Sequence, residues 1–124
     1  MIQILENFPD EILAIYVEGK ITGKEYEHIL TPAVEAKLKR HPKIRLFCHV
    51  GLSFNGLDFR AVVDDIKMAF QHFTDWEKMA VVSDNKFVNR IAKFLGRFMP
   101  IDIPIFHEAD MAEARNWITG DVGK

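Results

Sequence analysis

The chain has 124 residues, of which 48% are hydrophobic and 27% are charged, and its formal net charge at pH 7 is −2. These values are typical of one globular domain with a sizeable core, so residues 1–124 are predicted to form a single domain. The small negative charge argues against a general nucleic-acid-binding protein, which carries a large basic excess, and the single cysteine excludes an internal disulfide.

The chain opens with two short segments rich in β-favouring residues, Ile2–Glu6 and Ile12–Glu18. Between them, Asn7–Asp10 is typical of a turn, because Pro9 fixes φ and the asparagine and aspartate tolerate turn conformations. We expect the two segments to pair as an antiparallel hairpin.

A helix is predicted over Thr22–His41. Thr22 begins it, and Glu25, three residues later, completes the spacing of a capping box. Pro32 lies inside this stretch, where its ring removes a backbone donor and clashes with the preceding turn. The sequence therefore predicts either a kinked helix or two consecutive helices.

The next predicted elements are a strand, Ile44–Val50, and a helix, Asp58–Phe73. The helix carries one apolar stripe at helical spacing, formed by Phe59, Val62, Val63, Ile66, Phe70 and Phe73. The loop between them, Gly51–Leu57, holds Phe54 beside a glycine, where burial of the ring is least assured.

A buried strand is predicted over Lys78–Ser83, with Asp84 as the N-cap of the following helix, Lys86–Met99, which we call the basic helix. This helix contains no acidic residue. Its cations are separated by four, three and four residues and share one stripe: Lys86, Arg90, Lys93 and Arg97. Its apolar residues are Phe87, Val88, Ile91, Phe94, Leu95, Phe98 and Met99. They cannot all face one narrow seam, so part of the helix is expected to show apolar surface, cover a cavity or contact a second subunit.

After Pro100, the sequence predicts a last strand, Asp102–His107, and a last helix, Met111–Thr119, which ends at Gly120. Strands that alternate with helices predict right-handed crossovers and a mostly parallel sheet. The fold class is therefore α/β.

Loops that follow parallel strands meet at one edge of the sheet, where open α/β sheets bind ligands. Here these loops are Gly51–Leu57, Ser83–Lys86 and His107–Asp110. The titratable groups expected at this edge are His49, His107 and Asp84. They form either the lip of a polar pocket or an ordinary helix cap with satisfied strand-end histidines.

The sequence carries no catalytic signature and no metal-ligand set. Cys48 and His49 are neighbours on a strand and so point to opposite faces, and no second Cys/His pair completes a zinc site. Ser53 lacks the G-x-S-x-G elbow of hydrolases, and no glycine-rich phosphate fingerprint is present. We therefore predict a protein that is not an enzyme and needs no cofactor or metal.

The N-terminal segment lacks the basic region and continuous apolar run of a secretory signal peptide. No apolar run approaches the roughly 18–20 residues of a membrane span. The sequence predicts a cytoplasmic protein whose membrane contact is peripheral, at the inner membrane surface.

The element order and three segments resemble the SpoIIAA-like family of small bacterial proteins with a STAS-type fold. The segments are IRLFCHVGLSFNGLDFRAVVDDIKMAF from residue 44, WEKMAVVSDNKFVNRIAKF from residue 76, and PIFHEADMAEARNWI from residue 104. The resemblance covers nearly the whole chain. It implies a βα superhelix around a mostly parallel sheet, with an N-terminal β-hairpin and about four helices.

The resemblance also bears on regulation. In better-known STAS domains, a serine before a glycine is phosphorylated at the start of the helix after the third strand. Here Asn55 precedes Gly56, and asparagine cannot accept a phosphate, while Ser53 is out of register. Related lipid-carrying folds of the CRAL-TRIO type suggest apolar ligands, by analogy of fold alone.

Two functions follow as hypotheses. In the first, a binding module engages an apolar small molecule or lipid, an anionic membrane surface, or both, through Lys86, Phe87, Arg90, Lys93, Phe94, Arg97 and Phe98. In the second, a regulatory domain of the anti-sigma-factor-antagonist kind, without the usual phosphoserine, contacts a protein partner or a second copy. Its surface is Ser53, Phe54, Asn55, Gly56 and Leu57. Neither hypothesis involves nucleic acid.

Overall fold

The computed structural model describes residues 1–58, 60–61, 63–64, 67, 71 and 74–121, with only the backbone of Leu57. Its strands are β1 (Ile2–Ile4), β2 (Ile12–Val17), β3 (Lys20–Ile21), β4 (Ile44–Val50), β5 (Gly56–Leu57), β6 (Trp76–Val82) and β7 (Ile105–Phe106). Its helices are Gly23–Glu25, the π-helix Tyr26–Leu30, Thr31–Leu38, the basic helix Lys86–Gly96, the 3₁₀ turn Glu108–Asp110 and the last helix Met111–Thr119.

The helix predicted over Asp58–Phe73 falls partly outside the described residues. The described positions 60, 61, 63, 64, 67 and 71 have helical backbone. Of the predicted apolar stripe, only Val63 lies among the described residues, and it is half-buried. The remaining stripe residues, Phe59, Val62, Ile66, Phe70 and Phe73, are outside them.

Five of the strands form one sheet in the order β1-β2-β4-β6-β7. β1 and β2 are antiparallel, with Ile2 opposite Val17, which confirms the predicted hairpin. The pairs β2–β4, β4–β6 and β6–β7 are parallel. The predicted α/β class with a mostly parallel sheet is therefore confirmed.

Both faces of this sheet are buried, as expected where helices cover a parallel sheet on two sides. Along β2, Leu13, Ile15 and Val17 face one core cluster, and Ile12 and Ala14 face the other. The first cluster includes residues of the segment 23–38, and the basic helix packs against it. The second cluster includes Ala114 and Ile118 of the last helix.

A second, two-stranded sheet was not expected. β3 pairs with β5 in parallel, placing Lys20 beside Gly56. The prediction that Gly51–Leu57 is all loop is therefore wrong at Gly56–Leu57, because two residues are too few to show strand periodicity. Gly56 has φ +126°, a backbone conformation that L side chains rarely adopt.

The segment 23–38 confirms the predicted start and the predicted interruption. Thr22 is the N-cap, and its side chain and that of Glu25 form both bonds of the capping box. At the end of the π-helix, the Thr31 N–H donates to the Tyr26 carbonyl, and the next helix begins at Thr31 with Pro32 in its first turn. Proline is tolerated there because first-turn amides have no partner within the helix. The helix ends at Leu38, before the predicted His41.

Strand β4 and the last helix have the predicted bounds, whereas other strands differ at their ends. β6 begins at Trp76 rather than Lys78, because Trp76 pairs with Ile44 across an irregularity in the register. β7 is reduced to Ile105–Phe106. Pro104 precedes it and has no N–H to donate to a neighbouring strand.

A buried arginine on β4 secures the end of the last helix. Arg45 is 5% exposed, and its Nη1 donates to the Ile118 carbonyl at 2.8 Å and also to the Gly120 carbonyl. Its Nε donates to Glu77 Oε1 at 2.5 Å. Helix-end carbonyls lack partners within the helix, so the guanidinium satisfies them while the carboxylate balances its charge. Gly120 is the C-cap, as predicted.

Candidate functional site

The basic helix begins at a cap different from the predicted one. Asn85 Oδ1 accepts hydrogen bonds from the Phe87 and Val88 amides at 3.0 and 3.1 Å, which makes Asn85 the N-cap. The prediction that Asp84 caps this helix is wrong, because the first turn starts at Lys86 and Asp84 lies one residue too early to reach those amides. Asp84 Oδ1 accepts instead from the Glu108 amide at 3.2 Å.

Three parallel stripes run along this helix, each offset from the next by about 100°. One stripe faces the body and consists of Val88, Ala92, Leu95 and Met99, of which Val88 and Met99 pack against the first core cluster. The second stripe is the cationic one, Lys86, Arg90, Lys93 and Arg97, and all four side chains are exposed. The third is apolar yet exposed: Phe87 at 65%, Ile91 at 39%, Phe94 at 56% and Phe98 at 60%.

The exposed apolar stripe lies on one flank of the helix, between the side that faces the body and the cationic side. Seven of the eight residues on the cationic and exposed apolar stripes belong to the predicted set of contact residues. Ile91 was missing from the predicted set, although its spacing of four from Phe87 and three from Phe94 places it on the same stripe. Phe94 and Phe98 contact each other edge-on, with ring centroids 5.2 Å apart.

The helix ends earlier than predicted. Its last helical residue is Gly96, and Arg97 is the C-cap. Glycine is a poor helix former and Pro100 follows closely, so the chain turns before the predicted end at Met99. Phe98 nevertheless remains on the apolar stripe, because the turn after the helix keeps its amide bonded to the Leu95 carbonyl at 3.0 Å.

The electrostatic character of this surface is one-sided. The sequence from Lys86 to Met99 holds four cations and no carboxylate. Within the part of the chain that the structure describes, none of these four side chains forms an ion pair. Their charges are therefore available to an external anion.

Two open clefts lie beside the end of the basic helix. One, of about 450 Å³, is lined by Glu77, Lys78, Gly96, Met99, Pro100, Ile101, Asp102 and Trp117. The other, of about 290 Å³, is lined by Ala92, Lys93, Gly96, Arg97, Asp102, Ile103 and Pro104. The exposed phenylalanines line neither cleft, and both clefts include Asp102, a carboxylate that opposes an anionic ligand.

The loop predicted as a partner surface is fixed by backbone bonds. The Gly19 amide donates to the Ser53 carbonyl at 3.1 Å, and the Asn55 amide donates to the Gly19 carbonyl at 3.0 Å. Ser53 and Asn55 are exposed, whereas Phe54 packs against the first core cluster. The sequence-based set omits Leu52, whose side chain is 90% exposed.

A glutamate accepts hydrogen bonds from two hydroxyl groups near this loop. Glu18 Oε2 accepts from the Tyr16 hydroxyl at 3.1 Å and from Ser53 Oγ at 3.4 Å. The hydrogen bond to Glu18, followed by burial, raises the pKa of Tyr16. A Cβ at Gly51 would overlap the Tyr16 hydroxyl oxygen, so a larger residue at this position would have to displace the Tyr16 ring. A phosphate on Ser53 would meet the Glu18 charge, a second physical obstacle to a phosphoserine here.

The strand-end histidines are paired with carboxylates. His49 Nε2 lies 2.6 Å from Glu108 Oε1, and His107 Nδ1 lies 3.1 Å from Asp84 Oδ1. Of the two arrangements left open by the sequence, these contacts match satisfied strand-end histidines. Cys48 packs against the first core cluster, away from His49.

Among the described residues, no three His, Cys, Asp or Glu side chains come together in a way that could hold a metal ion. No helix among them combines the length and apolar character that crossing a bilayer requires.

The chain was compared with known proteins. The family model described as SpoIIAA-like matches residues 12–119. A crystal structure of an uncharacterized DUF3478-family protein from Shewanella loihica PV-4, described as having a SpoIIAA-like fold, is 24% identical and superposes with a TM-score of 0.75. The match covers 94% of this chain and 93% of that one. No curated protein matches. The family match spans most of the chain, and the chain belongs to the SpoIIAA-like family.

Proposed function

We propose that the chain is a non-enzymatic module that docks on an anionic membrane surface through the basic helix. The contact residues are Lys86, Phe87, Arg90, Ile91, Lys93, Phe94, Arg97 and Phe98. One observation carries the proposal: an exposed stripe of four large apolar side chains lies directly beside an exposed stripe of four cations that form no ion pair with any described residue. Fold and family membership support a binding or regulatory module in general.

The two stripes suit the boundary between lipid headgroups and acyl chains. Each basic residue near an anionic leaflet contributes about 1 kcal/mol, and each large apolar side chain contributes roughly 1.5–3 kcal/mol when fully removed from water. The body already covers the stripe that contains Val88, Ala92, Leu95 and Met99, so the helix would lie along the membrane on its exposed flank. Such contact is peripheral, and we place it at the cytoplasmic face of the inner membrane.

An apolar small molecule is the less favoured form of this proposal. A bound apolar ligand needs a concave site lined by rings, because most of its surface must leave water. Phe87, Phe94 and Phe98 instead project from the outside of the helix, and the two neighbouring clefts are lined by other residues. A planar partner fits this convex surface better.

Vesicle sedimentation tests the proposal. The wild type is expected to pellet with vesicles that contain phosphatidylglycerol, more weakly at high salt, and to stay in solution with pure phosphatidylcholine. F94A/F98A and R90Q/K93Q should each lower the bound fraction at least tenfold, since each removes about 2 kcal/mol or more. The matched controls are L52A, an exposed apolar residue off the helix, and K20Q/K24Q, two exposed lysines elsewhere.

Equal partition of the wild type onto both kinds of vesicle would refute the electrostatic part. Equal losses for the helix variants and their controls would refute the role of the helix itself.

The second candidate, a protein-interaction domain, rests on the loop after β4. Leu52 is the most exposed large hydrophobic side chain among the described residues, and the loop around it is held in place by Gly19. A rigid loop with one projecting apolar side chain can dock on another protein or a second copy. L52R should then remove specific partners from a pull-down and any dimer from analytical ultracentrifugation. Unchanged partners and unchanged mass would eliminate this surface.

A further inference from the structure

A second cluster of positive charge lies outside the basic helix. In the stretch Lys37–Lys43, which we call the basic segment, five of seven residues are basic: Lys37, Lys39, Arg40, His41 and Lys43. The basic segment begins in the last turn of the helix Thr31–Leu38 and ends directly before β4. Its position is therefore fixed by two regular elements.

One carboxylate anchors half of the basic segment. Asp10 accepts from Arg40 Nε at 2.9 Å and Arg40 Nη2 at 3.1 Å, lies 2.6 Å from His41 Nε2, and lies 3.5 Å from Lys37 Nζ. Lys39 and Lys43 are exposed, and in the described part of the chain neither forms an ion pair. Asp10 thus pairs with Lys37 and Arg40, and among the described residues Lys39 and Lys43 add two cations that have no ion-pair partner.

The topology brings these two cations to the same edge as the end of the basic helix. Both helices run back from the carboxyl ends of parallel strands to the start of the next strand, and both pack against the first core cluster. Both therefore end at the edge where β4 and β6 begin. The basic segment follows one helix end, and Lys93 and Arg97 belong to the other. Of the carboxylates at this edge, Glu77 is paired with Arg45, and Asp102 lies in the cleft that Lys93 and Arg97 line.

The separation of these two groups favours an extended partner. Strands about 4.8 Å apart and helices packed 8–10 Å apart place the two groups on the order of 10–20 Å from each other. One phosphate cannot reach both, whereas an anionic bilayer presents many headgroups over that distance.

We propose, on the basis of the proposed function, that the basic segment is a second contact with the anionic membrane. Lys39 and Lys43 meet lipid phosphates while the basic helix inserts its phenylalanines. The basic helix then lies along the bilayer, and the edge of the sheet where β4 and β6 begin also contacts it. Asp10 positions the basic segment and does not contact lipid.

The test compares K39Q/K43Q with K20Q/K24Q on phosphatidylglycerol-containing vesicles at low and high salt. The two double variants remove the same charge, but Lys20 and Lys24 lie at the opposite edge of the sheet. K39Q/K43Q should lower the partition coefficient roughly 10- to 30-fold at low salt and much less at high salt. K20Q/K24Q should lower it less than about threefold. Matching melting temperatures would verify that both variants fold.

A loss in K39Q/K43Q no larger than in K20Q/K24Q would overturn this inference, and a simultaneous loss in R90Q/K93Q would leave the proposed function standing. A loss in none of the three variants would overturn both. If inorganic polyphosphate binds the wild type as tightly as vesicles do, with the same sensitivity to K39Q/K43Q, the assignment of a bilayer as the partner is wrong.

Discussion

At the scale of single residues, Asp10 shows how one carboxylate organises several cations. It joins the turn before β2 to the end of the helix Thr31–Leu38 through Lys37, Arg40 and His41. The hydrogen bonds from Arg40 and then from His41 hold the pKa of Asp10 well below its ordinary value of 3.8. The turn residues at Asn7–Asp10 predicted the bend, but this cluster spans 27–31 positions of sequence and no local pattern signals it.

We predict that D10N lowers the melting temperature at neutral pH and makes the melting temperature change less as the pH falls. The folded carboxyl has the lower pKa, so its contribution to stability is complete above the unfolded pKa and is lost as the pH falls through the folded pKa. The difference in melting temperature between wild type and D10N should shrink as the pH falls below about 4. Differential scanning calorimetry measures this, with the exposed Glu6→Gln variant as control. A difference that grows on acidification would contradict the assignment.

At the scale of elements, two neighbouring polar residues at the start of the basic helix have different roles. Asn85 caps the Phe87 and Val88 amides, whereas Asp84 accepts from the Glu108 amide. Either residue type caps helices well, so the sequence alone does not decide between adjacent candidates. The decision rests on where β6 ends, and the buried Ser83 fixes that by donating its backbone N–H to the Phe106 carbonyl at 2.9 Å.

We predict that N85A destabilises the protein by about 1 kcal/mol, the usual cost of a lost cap. Hydrogen exchange should accelerate at the Phe87 and Val88 amides in N85A and at the Glu108 amide in D84A. Urea unfolding followed by circular dichroism gives the free energy of unfolding. Faster exchange of Phe87 and Val88 in D84A, with no change in N85A, would restore the original prediction that Asp84 is the cap.

The elements with a strong hydrophobic pattern were predicted most accurately. β4 and the last helix have the bounds expected from sequence, because runs such as Ile44–Val50 pack on both faces and tolerate no shift of register. β3 and β5 escaped prediction because each is two residues long and exists only through its partner. The π-helix likewise follows from how Tyr26 and Leu30 reach the core, which sequence periodicity does not reveal.

At the scale of the whole molecule, the parallel sheet could be predicted from the sequence, but the exposure of individual side chains around it could not. Alternating strands and helices determine a parallel sheet with right-handed crossovers, and residue spacing determines which side chains of the basic helix share a stripe. Which stripe faces the body depends on how the helix rolls onto the first core cluster. Residue spacing therefore does not reveal that Phe87, Phe94, Phe98 and Leu52 are exposed, and the structure does.

Long-range pairs explain the remaining gaps. His49 and Glu108 are 59 positions apart, and Arg45 and Gly120 are 75 apart, yet each pair is in contact. Such pairs form only once the sheet is assembled, so the sequence supplied the candidates at the strand ends without their partners.

Because the three stripes of the basic helix depend on residue spacing, a change in the length of this helix would disrupt them. One residue inserted after Asn89 would rotate everything downstream by about 100°. Phe94 and Phe98 would then turn toward the body, Lys93 and Arg97 would move onto the flank that the rings had left, and Leu95 and Met99 would turn away from the body. Every chemical group would survive such an insertion, but the groups after Asn89 would no longer face their present surroundings, so this helix should accept substitutions far more readily than insertions or deletions.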